Sequence, residues 1–265
     1  MQLTKFQNHL KLNTNTLNTQ LNCLNRVKCF FDEFEEFNQD NINAYLSKRL
    51  DGISKSTFNQ TLIALRHYAI MEGIEITFPK YKKLSTTEKD YLTEDELIKE
   101  LIPYYHLVFQ QKSDFYIFIT KFLFFTGVRP NEMCTLRTED IHFDKNYFII
   151  RDPKNHRDKK VPFPNSLIPS MKKYLQTGEL FAYNTSYASM YRMFNTLNKQ
   201  LKYKKTLNIY MLRHSYAHYL LDNGVPIEKL QILMGHSDLK TTMIYAKPLE
   251  SEAIKSYFEN IKPKR

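Results

Sequence analysis

The chain has 265 residues, enough for one large domain or two ordinary ones. Hydrophobic residues make up 42% and charged residues 25%, a mixture typical of globular proteins that argues against wholesale disorder. Lys and Arg number 38 against 28 Asp and Glu, so the net charge is +10. This surplus favours a polyanionic partner, either nucleic acid or an anionic membrane, although lysines scattered over the surface give the same sum.

No apolar run approaches the roughly 20 residues of a membrane span, and the polar start of the chain lacks the apolar core of a signal peptide. We therefore expect no membrane partner and a cytoplasmic location, at the nucleoid if the source is prokaryotic. The three cysteines form no CxxC pair, which argues against a disulfide framework or a zinc knuckle.

Residues 1–74 are predicted to form a helical bundle. Apolar residues recur at spacings of three and four over residues 17–31, the mark of one buried helical face. A short helix is expected over 41–50. The next helix has Ser54 or Ser56 as its N-cap and Gly73 as its C-cap.

Residues 75–91 change in composition and predict a linker between two domains. They contain a basic cluster that can lie along a phosphate backbone, although a solvated linker has the same composition. The predicted DNA contacts in this half of the chain are Lys55, Lys80, Lys82 and Lys83.

Residues 92–265 are predicted to form a mostly helical domain with one small sheet. Thr93 and Glu96 form a capping-box signal at the start of its first helix. Short strands are expected at 141–143, 147–150 and 161–163, with a long polar turn at 152–160. Helices are expected at about 166–175, 186–201, 210–223, 226–234, 238–246 and 250–261. The predicted fold class is mainly α with a small antiparallel β-sheet (α+β).

Two arginines stand where a phosphate could be bound. Arg129 follows Gly127, which ends an apolar helix, and it precedes a new helix whose N-terminus favours anions. Glu132 lies three residues on and can orient the Arg129 guanidinium, although a structural ion pair would look the same. Arg213 lies beside the apolar face of its own helix.

The turn at 152–160 is rich in cations, including Lys154, Arg157 and Lys159. A hairpin tip of this kind can enter a DNA groove, and a lysine with a lowered pKa can act as a general acid. A solvated charged turn is the alternative interpretation.

Histidines and one tyrosine follow at regular positions. His214 and His218 are four residues apart, but Ser215 stands where a zinc enzyme has glutamate, so a packed pair is expected rather than a metal site. His236 follows the end of a helix, and Tyr245 falls late on the next one. Most of the 18 tyrosines are expected in the core or on the surface.

Together, four segments resemble the tyrosine recombinase (phage integrase) family. The segments are TGVRPNE at 126–132, DPKN at 152–155 with VP at 161–162, LRHSYA at 212–217 with LDNG at 221–224, and LMGHS at 233–237 with TTMIY at 241–245. They stand in the family's order and spacing, with the tyrosine nine residues after the histidine. The resemblance covers about residues 92–247, and the helical front domain fits the family's core-binding domain.

The resemblance implies a role for each of five residues. Arg129 and Arg213 would hold the scissile phosphate and His236 would bind it. Lys154 would protonate the leaving 5′ oxygen and Tyr245 would attack. This is chemically coherent, because a phenol with a pKa near ~10 needs a cationic site to attack phosphorus at neutral pH. The resemblance implies no metal, no other cofactor and no ATP.

One position departs from the family's pattern. The family usually has a histidine three residues before the second arginine, where this chain has Tyr210. A hydroxyl can donate a hydrogen bond to phosphate but cannot become a cation at neutral pH. We expect Tyr210 to act as a neutral donor, and we assign orienting roles to Glu132 and His214.

The resemblance implies a site-specific DNA recombinase with a two-domain, Xer-like or Cre-like layout. It would act through a 3′-phosphotyrosine intermediate and a Holliday junction, as a homo-tetramer on double-stranded DNA with paired sites. The helix at 250–261 would dock on a neighbouring subunit, or else pack on its own domain. An accessory protein is left open. The alternatives are a type IB topoisomerase and a weak or inactive DNA-binding derivative, the latter suggested by Tyr210.

Overall fold

The computed structural model describes residues 3–14, 16–49, 52–83, 90–151, 158–174, 186–201, 203–236 and 239–245. Its α-helices are α1 (Leu3–Asn13), α2 (Leu17–Phe31), α3 (Gln39–Arg49), α4 (Lys55–Glu72), α5 (Ile102–Phe109), α6 (Ser113–Thr126), α7 (Pro130–Cys134), α8 (Ile168–Tyr174), α9 (Tyr187–Gln200), α10 (Ile209–Asp222), α11 (Ile227–Met234) and α12 (Leu239–Met243). Its strands are β1 (Ile141–His142), β2 (Tyr147–Ile150) and β3 (Lys159–Pro162). Among these helices, none has both the length and the apolar character needed to cross a bilayer.

The chain divides into two compact units, residues 1–86 and 87–265. The first unit is built from α1 to α4 around one apolar core. The N-cap predicted for α4 is confirmed, because the Ser54 hydroxyl accepts from the backbone N–H of Thr57 at 3.1 Å. Gly73 ends α4 in the left-handed conformation, also as predicted. The fully buried core side chains include Phe6, Val27, Phe30, Ile42, Leu62 and Leu65.

Residues 76–82, inside the predicted linker, lie along the first unit. The backbone N–H of Thr77 donates to the side chain of Gln39 at 2.8 Å. The Asn59 side chain makes two hydrogen bonds to the backbone of Lys82. It accepts from the Lys82 N–H at 2.7 Å and donates to the Lys82 carbonyl at 2.8 Å. The hydrophobic side chains of Ile76 and Phe78 in this segment pack against the helical core. The start of the segment is therefore anchored to the bundle.

The second unit is mainly helical with one small antiparallel sheet, which confirms the predicted fold class. Its first helix begins at the predicted capping box: the Thr93 hydroxyl accepts from the Glu96 N–H, and the Glu96 carboxylate accepts from the Thr93 N–H. A π-helical segment, Glu96–Leu101, then continues into α5. The core centres on α6, whose Phe122 and Phe124 side chains have no exposed surface.

The sheet has the strand order β1-β2-β3, with both pairs antiparallel. Strand β3 begins two residues earlier than predicted, since Ile150 pairs with Lys159 and Phe148 with Val161. Lys159 and Lys160 therefore belong to the ladder and not to the turn. Because side chains alternate along a strand, Lys159 shares the inward face with Val161, and Lys160 points the other way.

Two predicted features lie outside the described residues: the hairpin tip, at 152–157, and the helix at 250–261. Helix α12 is shorter than the predicted 238–246. Below the hairpin tip, Arg151 donates to Asp140 through Nε at 2.9 Å and Nη2 at 2.7 Å. This two-point ion pair fixes the end of β2 against the segment that precedes β1.

Candidate active site

Arg213 is the buried centre of the site. It lies on α10 with only 6% of its surface exposed. Its Nη1 donates to the carbonyl of Gly127 and its Nη2 to the carbonyl of Met234, each at 2.5 Å. These carbonyls belong to the ends of α6 and α11, so the guanidinium joins three helices. Burial and the nearby charge of Arg129 lower the pKa of Arg213 to about 10.

Gly127 allows the approach of Arg213 to the end of α6. It ends α6 with φ +62°, and a Cβ atom here would lie 2.0 Å from Cδ1 of Tyr216 on α10. No side chain fits in that space. The bare glycine lets α10 pack against the end of α6, and this brings Arg213 to the Gly127 carbonyl.

Arg129 forms the rim of the site. It is the N-cap residue of α7, and its side chain is 46% exposed. The Glu132 carboxylate accepts from the Arg129 backbone N–H and from Nη1, both at 2.7 Å. Glu132 therefore holds both the backbone and the guanidinium of Arg129, while solvent reaches the rest of the side chain.

Lys159 reaches into the same site from β3. Its Nζ atom is buried and makes no hydrogen bond within the described part of the chain. Its stem passes over Gly235, where a Cβ atom would lie 2.9 Å from Cδ of the lysine. Burial, followed by the charge of Arg213, lowers the pKa of Lys159 to about 8. An uncompensated buried ammonium of this kind suits an anionic ligand.

His236 follows Gly235 in the turn after α11. Its backbone N–H donates to the carbonyl of Gln231 at 3.1 Å, and its Nδ1 is hydrogen-bonded to the buried hydroxyl of Thr242 at 2.9 Å. Burial, then the charges of Arg213, Arg129 and Lys159, lower the pKa of His236 to about 4. The imidazole is therefore neutral at pH 7 when no anion is bound.

Tyr245 lies two residues after the end of α12, and its surface is 6% exposed. Its phenol oxygen is 2.7 Å from Nδ1 of His214. The ring edge of Tyr245 also meets His218, with centroids 5.7 Å apart and planes at 90°. Burial raises the pKa of Tyr245, and the charge of Arg213 opposes that effect.

Three cationic groups, Arg129, Arg213 and Lys159, interact electrostatically with one another and with His236. Glu132 is the carboxylate whose charge acts on Lys159 and Arg213 in this part of the chain. A phosphodiester placed here would relieve the repulsion among the three cations. The phenol of Tyr245 is close enough to Arg213 for the guanidinium charge to act on its pKa.

Some predicted residues are not brought to this cluster. Tyr210 is 42% exposed, and its nearest ring neighbour is Tyr187, with centroids 6.3 Å apart. Lys154 and Arg157 lie outside the described residues. The four predicted DNA contacts of the first unit are exposed on its surface, and they are Lys55, Lys80, Lys82 and Lys83.

The sequence placed Lys159 among the surface cations, whereas the structure places its ammonium beside Arg213. The available signal was the period-2 alternation that runs backwards from the buried Val161. The predicted strand starts at Val161, which leaves Lys159 in the turn.

The model of the phage integrase family matches residues 91–252, more than half of the chain. The chain belongs to the phage integrase family. Its curated relatives are named tyrosine recombinases, and this chain is likewise a tyrosine recombinase.

Two of these relatives are named tyrosine recombinase XerA. The one from Pyrococcus horikoshii is 29% identical, over 92% of this recombinase and 88% of the relative. The one from Thermococcus onnurineus is 33% identical, over 77% of this chain and 75% of the relative.

Two solved structures share the fold of this recombinase. The XerH site-specific recombinase bound to its difH substrate matches with a TM-score of 0.68 and 19% identity, over 95% of this chain and 94% of that one. The Tn1549 transposon integrase in complex with a circular intermediate DNA matches with a TM-score of 0.73 and 17% identity, over 98% and 99%.

Proposed function

We propose that this tyrosine recombinase cleaves and rejoins double-stranded DNA at specific paired sites, with Tyr245 as the nucleophile. The observation that carries the proposal is the pocket in which the Tyr245 phenol lies beside Arg213, with Lys159 and His236 interacting with the same guanidinium. A buried phenol near several cations suits attack on a phosphodiester better than structural packing alone.

In the proposed cleavage step, the phenol oxygen of Tyr245 attacks the scissile phosphorus and the bond from phosphorus to the 5′ oxygen breaks. The phenol proton leaves to a base, and the departing 5′ oxygen takes a proton from an acid, the role that the resemblance gives to Lys154. The product is a 3′-phosphotyrosine and a free 5′-hydroxyl. A 5′-hydroxyl attacking that linkage reverses the step, so rejoining needs no added energy source.

Arg213 and Arg129 have different parts in this scheme. Arg213 is fixed by two backbone carbonyls, so it is preorganised and loses little freedom when a phosphate binds. Arg129 is half-exposed at the rim and tied to Glu132, so it would close over the phosphate from the solvent side. Binding a phosphate would raise the pKa of His236, which would favour a charge-assisted hydrogen bond from its ring to a phosphate oxygen.

Strand exchange through a Holliday junction by a tetramer on two sites is the finer part of the proposal. It is supported by the family membership, by the net charge of +10, and by the DNA-bound state of the XerH and Tn1549 structures. The segment 250–261, outside the described residues, is the proposed docking helix between subunits. Its apolar residues recur at helical spacing: Ile254, Tyr257, Phe258 and Ile261.

The test is a suicide-substrate trap. The recombinase is incubated with a nicked duplex carrying the DNA that flanks its own gene, and a covalent protein–DNA adduct is sought on a denaturing gel. We expect an adduct with the parent protein and none with Tyr245→Phe, because the substitution removes only the attacking oxygen. Tyr191→Phe is the matched control, since Tyr191 is 50% exposed on α9, and its adduct should equal that of the parent.

An adduct that persists in Tyr245→Phe would refute the assignment of the nucleophile. DNA binding with no adduct from the parent protein would favour a non-catalytic DNA-binding derivative. If the protein forms the adduct and also relaxes supercoiled DNA without needing paired sites, a type IB topoisomerase would be favoured.

A further inference from the structure

The hydrogen bond between Tyr245 and His214 has consequences beyond the binding of phosphate. The phenol oxygen and Nδ1 are 2.7 Å apart, within the range of a direct proton transfer. The two residues are 31 positions apart in sequence, and helix α10 carries both His214 and the phosphate-binding Arg213. The hydrogen-bond partner of the nucleophile and the arginine proposed to bind phosphate are therefore neighbours on the same helix.

We infer that His214 accepts the proton of Tyr245 as the phenol attacks phosphorus, an inference that rests on the proposed function above. In the neutral imidazole, Nδ1 accepts the phenol's hydrogen bond. As the bond from oxygen to phosphorus forms, the proton passes to Nδ1 and leaves an imidazolium. When the 5′-hydroxyl attacks the phosphotyrosine, the imidazolium of His214 donates a proton to the departing phenol oxygen. The proton of the attacking hydroxyl goes back to the group that protonated the 5′ oxygen during cleavage.

Neighbouring groups are less suited to this role. His218 meets Tyr245 through an edge-to-face ring contact, and its own ring stacks on Tyr91 with centroids 3.7 Å apart. His236 is hydrogen-bonded to Thr242. Tyr210, one helical turn before His214, carries no imidazole. Within the described residues, the reacting oxygen of Tyr245 is hydrogen-bonded to His214.

Burial makes such an acceptor necessary. The surface of Tyr245 is 6% exposed, and burial raises its pKa, so water is poorly placed to take the proton at neutral pH. His214 is only half-buried, so a proton it receives can pass onward to solvent. The groups that face this pair are Arg213 and His218 on α10. Lys159 and His236 titrate in the same pocket and are unchanged in the variants below.

The test measures the single-turnover rate of adduct formation on the nicked duplex. In His214→Asn an amide can still accept the phenol's hydrogen bond at the place of Nδ1, but it cannot take the proton. We expect the rate at neutral pH to fall about 100-fold with DNA affinity unchanged, the size typical of losing a general base. The deficit should shrink as pH rises, because the phenol then ionises without help.

The matched control is His106→Gln. His106 on α5 also has Nδ1 hydrogen-bonded to a hydroxyl, that of Ser113 at 2.9 Å, and neither residue belongs to the candidate site. Its rate should equal the parent rate.

As a second variant, His214→Ala should regain activity when imidazole is added. A fluorinated tyrosine at position 245, with a more acidic phenol, should restore much of the rate lost in His214→Asn.

Each remaining outcome overturns the inference. A parent-like rate in His214→Asn would mean that the proton leaves by another path. A faster rate would mean that His214 holds Tyr245 back from the DNA. A slow rate that neither imidazole nor high pH restores would mean a structural role. In all three cases the parent still forms an adduct, whereas failure of the proposed function would leave the parent itself without one.

Discussion

At the scale of single residues, the site depends on a glycine as much as on its charged groups. The motif that contains Gly127 and Arg129 could be identified from sequence, since a glycine at a helix end is a local signal. The need for that glycine to lack a side chain could not, because the Tyr216 ring that fills the space is brought there by tertiary packing of α10.

We expect Gly127→Ala to lower the free energy of unfolding by about 2–4 kcal/mol, from positive φ and from the clash with Tyr216. The substitution should also slow adduct formation, since it displaces the carbonyl that holds Arg213. Gly224→Ala is the control: φ is +77° but nothing lies within 4 Å of the new Cβ. Chemical denaturation of both variants measures the difference, and equal losses would contradict the clash.

At the scale of elements, the position at which β3 begins determines the surroundings of Lys159. The strand starts two residues earlier than predicted. The pairing of Ile150 with Lys159 turns that side chain toward the core, and Lys160 outward, where its ammonium lies 5.1 Å from the centre of the Tyr147 ring. Sequence patterning predicted the three strands and one small antiparallel sheet. It missed the start of β3, because consecutive lysines are more typical of a solvated turn than of a ladder.

We expect Lys159→Met to stabilise the DNA-free protein by about 1–2 kcal/mol at neutral pH, because it removes a buried charge that has no hydrogen-bond partner. The same substitution should weaken DNA binding and slow cleavage about 10-fold or more, as an uncompensated cation is lost from the phosphate site. Lys160→Met, on the opposite face of β3, should change neither property by a comparable amount.

The stability of the parent also has a defined pH dependence. The pKa of Lys159 is about 8 in the folded state, below its ordinary value of 10.5, so the unfolded chain binds more protons between these values. The contribution of Lys159 therefore makes the parent more stable as pH rises from about 8 to 10.5. Denaturation across this range should show the rise in the parent and a smaller one in Lys159→Met. Identical profiles would mean that the ammonium is not buried in solution.

At the scale of the whole molecule, the net charge of +10 matters more for association than for the fold. Each of the two units has its own apolar core, and the predicted lysine contacts of the first unit are exposed. Asn59 holds both the N–H and the carbonyl of Lys82, so the backbone of this lysine has a fixed position on the surface.

We expect DNA affinity to fall steeply and linearly on a log–log plot against salt concentration. Lys82→Gln should reduce the slope by about one, the amount for one lost phosphate contact, without altering site preference. The control is Lys48→Gln, whose ammonium is already paired with Glu33 at 2.9 Å. Fluorescence anisotropy over a range of salt concentrations gives both slopes. An unchanged slope for Lys82→Gln would place that lysine away from the DNA.

By itself, the sequence determined the fold class, the helical elements with several of their caps, and the family motifs that contain Arg129, Arg213, His236 and Tyr245. These are local properties, carried by apolar periodicity, capping residues and short spacings. Only the tertiary structure decided that Lys159 points inward and that the Tyr245 phenol meets His214. The tertiary structure alone also decided that Arg213 is held by the carbonyls of Gly127 and Met234. The physical reason is distance along the chain: these contacts join residues 21 to 86 positions apart, and they exist only once helices and strands have packed.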